Sequence, residues 1–312
     1  VITSPATPTI ATEIRPIGRG KSLAWQVTVA TPNAEAFREP LQFAAHRVRR
    51  AAYQQAIVTD THRPSWVGFS SQPRTLRRFP EAKLYHHGKR VTPLYVTPPQ
   101  DDRRVYYDWN YPWGLVCWIV SGEGGGSGVL VGPRHVLTAS HSIDWNAGWA
   151  MVEVQTFDKT FSSGSCVASL HAYTKIGQVT ESTLDEDYAV LVLVDRLGDE
   201  FGWMGTRTYD SAWDDKPWWY TMGYPDEPFG GRRPVFEKNF SLDEDEFDLG
   251  SGRAMTCSAD LTYGQSGSPI FGFWGSEAYA VAVVSAEFEN ENYCAGGSDL
   301  SRLVAQVRKA FP

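Results

Sequence analysis

Long apolar runs are missing from this 312-residue chain. The best stretches, residues 114–120 and 278–284, have the length of a core strand and fall far short of the ~18 residues that span a bilayer. No membrane segment is expected. A basic–apolar leader is also missing, and the expectation is that any signal peptide was removed ahead of Val1. Zinc-finger, RNP and helix-turn-helix patterns are absent, which argues against nucleic-acid binding. So is HExxH, leaving zinc hydrolysis without a ligand set; no metal or other cofactor is called for. Aromatic residues are plentiful. With 12 Trp, 14 Tyr and 15 Phe the chain is not disordered, and it can bury a sizeable core.

The net charge of -7 is unevenly spread. Residues 1–90 carry 14 Lys and Arg against five Asp and Glu, whereas residues 91–312 carry 15 against 31. Such asymmetry suggests two units with different tasks. A basic segment joined to an acidic body plausibly docks on it, since opposite potentials guide and hold partners. Residues 1–33 are rich in Pro, Thr and Ala and read as an extended lead-in. Residues 41–56 have helical spacing, with Leu41, Ala44, Ala45, Val48, Ala51 and Ala52 on one side and Pro40 suited to the first turn. The dibasic pairs Arg77-Arg78 and Lys89-Arg90 then resemble processing sites in an exposed linker.

Four cysteines, Cys117, Cys166, Cys257 and Cys294, allow three disulfide pairings. Cys117–Cys166 and Cys257–Cys294 are favoured because each closes within one half of the acidic part. With the sequon Asn239-Phe240-Ser241 they point to a secreted, extracellular glycoprotein.

From about residue 105 the texture is of short apolar runs separated by Gly, Pro, Asp and Asn, which predicts antiparallel β structure, a barrel or sandwich. Only the C-terminus reads as helical, with Ser298 as a cap and Leu300, Leu303, Val304, Val307 and Phe311 in one stripe.

The sharpest local signal is Gly264-Gln265-Ser266-Gly267-Ser268-Pro269. Glycines on both sides of a serine permit a tight turn that exposes the hydroxyl and aims backbone N–H groups at one point. Upstream, Val136-Leu137-Thr138-Ala139-Ser140-His141 ends an apolar run on a histidine. Between them, Asp185-Glu186-Asp187 runs into Tyr188-Ala189-Val190-Leu191-Val192-Leu193-Val194. A serine hydroxyl needs a base to take its proton, and the base needs an acid to fix its tautomer. The order His, Asp, Ser excludes an α/β-hydrolase, since no histidine follows Ser266, and a subtilisin, which needs Asp before His on a parallel scaffold.

These three segments resemble the trypsin/chymotrypsin superfamily of serine endopeptidases. Residues 264–269, with Gly223-Tyr224-Pro225-Asp226 and with Asp101-Asp102-Arg103-Arg104 ahead of Tyr111-Pro112, look most like its secreted, glutamyl endopeptidase-like branch. The likeness covers roughly residues 100–312. It implies a mostly β fold of two antiparallel barrels, divided here as 91–205 and 206–312, with a C-terminal helix; residues 1–90, containing a helix, look like a basic prosegment by position and charge only. It further implies Ser266 as nucleophile, His141 as general base and Asp187 as its orienting acid. Gly264 and Ser266 N–H groups would form the oxyanion hole, and Ser285 would lie on the strand that pairs with substrate backbone. Asp185 competes with Asp187; Asp187 is preferred because it directly precedes the buried strand. His135 and His171 are expected at the surface.

Three departures from the family pattern matter. Gln265 stands where trypsin has the Asp that captures a new N-terminal ammonium. No Cys follows His141, and no histidine follows the nucleophile, as Glu specificity in the branch would require. Asp260, six residues before Ser266, and Glu287 suggest cleavage after Arg or Lys. Substrates would be proteins or peptides, with the chain's own prosegment as intramolecular inhibitor or folding aid. The competing classes are a catalytically silent binding protein on the same barrels and a carbohydrate-active protein, suggested by Trp213, Trp218 and Trp219.

Overall fold

The computed structural model describes residues 12–17, 24–29, 41–49, 56–78, 85–86, 89–90, 101–158, 160–226, 231–244, 252–288 and 291–312. Two compact units result, 1–40 and 41–312. In the first, β1 (Thr12–Ile17) and β2 (Ala24–Val29) form an antiparallel hairpin. The second opens with β3 (Ala44–Arg47), β4 (Thr75–Arg78), the short pair β5 (Tyr85–His86) and β6 (Lys89–Arg90), and β7 (Arg104–Tyr106). Then come β8 (Val116–Ser121), β9 (Gly124–Gly132), β10 (His135–Thr138), β11 (Met151–Val154), β12 (Ser163–Ala172), β13 (Ala189–Leu193) and the one-turn helix α1 (Leu197–Phe201). The remainder is β14 (Gly205–Thr206), β15 (Trp219–Gly223), β16 (Val235–Phe240), β17 (Leu242–Asp243) and β18 (Gly252–Cys257). It ends with β19 (Pro269–Trp274), β20 (Glu277–Phe288), β21 (Glu291–Gly297) and helix α2 (Ser298–Ala310).

Strands β8 to β13 pair in the order β11-β8-β9-β10-β13-β12, and β11 also pairs with β12, closing a six-stranded antiparallel barrel. Its interior is filled by Ile119, Leu130, Val136, Val152, Leu170 and Leu191, which share one face of the sheet and have no exposed surface. Each such burial contributes roughly 1.5–3 kcal/mol. The second sheet runs β17-β18-β21-β20-β19-β15-β16-β7-β4, with β14 on β20. It is open at both ends, a half-barrel where the sequence suggested a second closed one. Helix α2 buries Leu300, Leu303, Val304 and Val307, as the stripe predicted. Its N-cap, however, is Gly297 at φ 90°, with Ser298 already the first helical residue. Only a residue without Cβ takes that φ easily.

The helix expected over 41–56 is not found in its described part, which is extended. Ten-residue β12 pairs with β11 only over residues 163–166, leaving an open edge at 169–172. Strand β3 fills that edge in parallel, and Phe43 and Val48 N–H groups donate to Gly148 and Ala172 carbonyls at 2.7 and 2.9 Å. An unpaired sheet edge outweighs a helical periodicity carried mostly by alanines. Arg77-Arg78 likewise lies in β4, paired with β7, where an exposed linker was expected. Residues 50–55 and 79–84 are outside the described set.

All four cysteines are free thiols. Cys117 on β8 faces Val154, and Cys166 on β12 faces Met151, on opposite sides of β11. Two strand spacings, about 9.5 Å, exceed the ~7 Å reach of a disulfide, so the Cys117–Cys166 pairing is corrected. Cys257 and Cys294 are diagonal neighbours on paired strands, and their thiols are in contact.

His135 and His171 are also corrected: they are buried, 0% and 4% exposed. Burial, then the charges of Arg308 and Arg134 and the neighbouring His171, lowers the His135 pKa to about 4; burial, then His46, lowers that of His171 to about 4. His46 stacks on His171 at 4.9 Å and Ser169 Oγ contacts its Nε2. The unfolded chain takes up these protons near 6.5, so stability present above pH 6.5 is lost as the pH falls toward 4. Each histidine accounts for about 3 kcal/mol of that loss. Urea unfolding at pH 7 and 4.5 should show the drop, and His135→Gln should flatten it. A variant with the same pH slope as the wild type refutes the assignment.

Candidate active site

Strand β10 delivers Ala139 and then a 3-10 turn, Ser140–Ser142, that carries His141. The turn is pinned from several sides. Thr138 Oγ1 donates to the Ser127 carbonyl at 2.7 Å, Ser140 Oγ to the Thr174 carbonyl at 3.0 Å, and Trp145 Nε1 to the Ser140 carbonyl at 3.0 Å. Asp187 caps a second 3-10 turn, Leu184–Glu186, just ahead of β13. Because β10 and β13 are antiparallel with Thr138 opposite Ala189, two residues 46 apart in sequence become neighbours.

The Asp187 side chain is fully buried. Its Oδ1 accepts the His141 backbone N–H at 2.9 Å; its Oδ2 faces His141 Nδ1 at 2.6 Å and accepts Ser285 Oγ–H at 2.6 Å. A carboxylate accepting a proton at Oδ2 from both partners fixes His141 as the Nδ1–H tautomer and leaves Nε2 as an acceptor. His141 keeps 22% of its side chain exposed. Asp185 is buried too, but its carboxylate and carbonyl lie against Gly252 of β18, so the acid beside His141 is Asp187.

Ser266 sits half-buried between Gly264 at φ 88° and Gly267 at φ 82°. A Cβ on Gly264 would lie 2.5 Å from the Tyr224 carbonyl, and one on Gly267 would collide with Ser127 O and Thr138 Oγ1 and approach Ala139 N to 2.7 Å. Both glycines are therefore required by conformation and by space. The same contacts place the Ser266 turn against Thr138 and Ala139, immediately before His141. Ser127 clamps the turn: its N–H donates to the Ser266 carbonyl and its Oγ to the Gly264 carbonyl, each at 2.8 Å. Gly267 N–H donates to the Val284 carbonyl at 2.8 Å, tying the turn to the strand of Ser285. Among the described residues, Ser266 Oγ and His141 Nε2 are not hydrogen-bonded to each other, and the N–H groups of Gly264 and Ser266 have no acceptor. Catalytic hydrogen bonds commonly tighten only around substrate.

Asp260 is 3% exposed, accepts the Asp102 N–H at Oδ2 (3.0 Å), and donates its own N–H to Glu237 Oε2 (2.7 Å). The carboxylates of Asp102, Glu237 and Asp260 approach within 4.8 Å of one another. Burial, then Asp260 and Asp102, pushes the Glu237 pKa well above the usual carboxylate range. Glu287, half-exposed on β20 opposite Asn292, lies two residues beyond Ser285. Trp213 and Trp219 pack with Tyr209 and Trp274 in the second core, leaving only Trp218 of the three outside it. Ser127, Arg103 and Glu237 were not foreseen; the one signal for Ser127 was the Gly124-Gly125-Gly126 run that precedes it.

A closed barrel and a half-barrel carry a buried Asp187, a partly exposed His141 and a glycine-flanked serine, the set of groups a serine hydrolase needs. Residues 126–275 match the family described as trypsin-like peptidase domain. Over those residues the chain carries a trypsin-like peptidase domain, which supports a serine endopeptidase. A glutamyl endopeptidase crystallised with MPD matches 67% of this chain and 98% of its own, at 16% identity and TM-score 0.56. A thermostable serine protease, AL20, from an extremophilic microorganism matches 64% and 97%, at 15% identity and TM-score 0.50. At such identities these likenesses speak to the fold. No curated protein sequence matches the chain.

Proposed function

We propose that the protein is a secreted serine endopeptidase, made as a proenzyme, in which Ser266, His141 and Asp187 form the catalytic triad. The observation that carries this reading is the Asp187 carboxylate bound to both His141 Nδ1 and Ser285 Oγ, next to the turn of Ser266. Ser266 Oγ attacks the scissile carbonyl as its proton passes to His141 Nε2, and the carbonyl oxygen becomes an oxyanion facing the N–H groups of Gly264 and Ser266. Each such donor is typically worth about 10²–10³ in rate. The proton on Nε2 goes to the departing amine, leaving an acyl-enzyme. Water, deprotonated by His141, then releases the acid and restores Ser266.

Intact mass after fluorophosphonate treatment tests the assignment: one label, lost in Ser266→Ala, is expected. No label on a species lacking the basic segment would favour a silent binding protein. The charge asymmetry between residues 1–90 and 91–312 supports a proenzyme, with Lys89-Arg90 as the dibasic pair for its processing. Secreted material that always began at Val1 with full activity would contradict it. The exposed Asn239 sequon supports secretion.

For specificity, Asp260 and Glu287 support cleavage after Arg or Lys. Asp260→Asn should lower kcat/KM for Arg substrates at least tenfold relative to a neutral P1 residue, measured with paired peptides. An unchanged ratio rules out Asp260 as the determinant.

A further inference from the structure

Beneath the turn of Ser266 lies a charged side chain from far earlier in the chain. Arg103 is 1% exposed. Its Nη1 donates to Gln265 Oε1 at 2.5 Å and to Thr262 Oγ1 at 2.8 Å. Its Nε and Nη2 donate to the Asp101 carboxylate at 3.0 and 2.7 Å. The guanidinium is a rigid planar fork, so one group grips an anion on one side and the loop on the other. Asp101 neutralises the buried charge locally. The backbone of Arg103 runs directly into β7, which is held between β16 and β4.

Gln265 is the sole residue between Gly264 and Gly267 whose side chain is fully buried. Its Oε1 also accepts the Thr262 N–H at 3.1 Å. The two flanking glycines supply no packing of their own. Ser127 and the Val284 carbonyl hold the turn through its backbone, and the Gln265 carboxamide is the side-chain tie that also sets the direction of the Gly264 and Ser266 N–H groups. We propose that Arg103 is a positioning residue for the oxyanion-forming turn, acting through Gln265. This rests on the reading of Ser266 as nucleophile and deepens it. Order at the turn then comes from an internal cation and needs no free chain end.

The test compares the full-chain wild type with Arg103→Met, Gln265→Met and the double variant, each in the form that labels with fluorophosphonate. Expected is a loss in kcat of about 10²-fold for Arg103→Met with KM within about threefold, on the scale of one oxyanion donor. The double variant should be no more than about threefold worse than the weaker single one, since residues acting through one contact are not additive. Guanidinium ion added to Arg103→Ala should restore at least tenfold, whereas Arg103→Lys, which cannot grip Asp101 and Gln265 together, should recover only part. Folded Arg103→Met with unchanged kcat, or losses that multiply in the double variant, would overturn the proposal. Should Arg103→Met fail to fold, Gln265→Met decides: an unchanged kcat overturns it, and a 10²-fold loss relieved in Gln265→Glu, which can pair with Arg103, upholds it. A wild type whose label survives Ser266→Ala removes the underlying reading instead.

Discussion

Ser266→Ala is expected to reduce peptide hydrolysis by about 10⁶-fold, leaving only the residual rate that binding and the oxyanion donors can provide. The size follows from the site's construction. Asp187 holds His141 as the Nδ1–H tautomer, and Gly264 and Gly267 hold the serine turn against Ala139. Removing the hydroxyl leaves that apparatus with no atom to acylate. KM should change little, and the fold should be unaffected, because Ser266 Oγ has no structural hydrogen bond among the described residues. The check is kcat on a peptide substrate together with fluorophosphonate labelling. A loss below about tenfold would place the nucleophile elsewhere.

Asp187→Asn is expected to lower kcat by about 10⁴-fold. The carboxylate serves three donors at once: the His141 amide at Oδ1, and His141 Nδ1 and Ser285 Oγ at Oδ2. An amide NH2 replacing Oδ2 presents hydrogens to Nδ1 and favours the Nε2–H tautomer, which cannot accept the serine proton. If the amide oxygen takes that position, the NH2 group meets the His141 N–H, donor against donor. Either arrangement costs a hydrogen bond in a buried site. Activity should recover partly at high pH, where hydroxide removes the serine proton without the histidine. Measuring kcat from pH 6 to 10 separates this outcome from simple unfolding, which would show no such recovery. A variant within tenfold of the wild type across that range would mean that Asp187 does not control the tautomer.

The catalytic segments were readable in the sequence because each requirement is local. Left-handed glycines at 264 and 267, a histidine ending an apolar run and an acid starting another are short-range statements about backbone and burial. The C-terminal stripe was readable for the same reason, since Leu300, Leu303, Val304 and Val307 repeat at the helical period over a long enough stretch. Residues 41–49 went otherwise: their alanines suit a helix, but an open edge on β12, more than a hundred residues away, makes them a strand. The buried state of His135 and His171 likewise comes from α2 and β3 closing over them, which no neighbouring residue announces. Cys117 and Cys166 looked like partners by spacing, until β11 proved to run between their strands.

By itself, the sequence determined the class of chemistry: a His, an Asp and a glycine-flanked Ser in an order and context that few scaffolds share. It also determined a mostly β chain with one terminal helix, because periodicity and turn residues act over a few positions. The sequence favoured Asp187 over Asp185, and the tertiary structure decided between them. Asp185 and Asp187 are two residues apart, and only the pairing of β10 with β13 directs one to the histidine and the other to β18. It alone brought Arg103 under Gln265 and gathered Asp102, Glu237 and Asp260 into one trio. Arg103 with Gln265 and Asp102 with Asp260 are more than a hundred positions apart, and the energies of such contacts depend on burial and on distance in space, which local patterns of side chains do not encode.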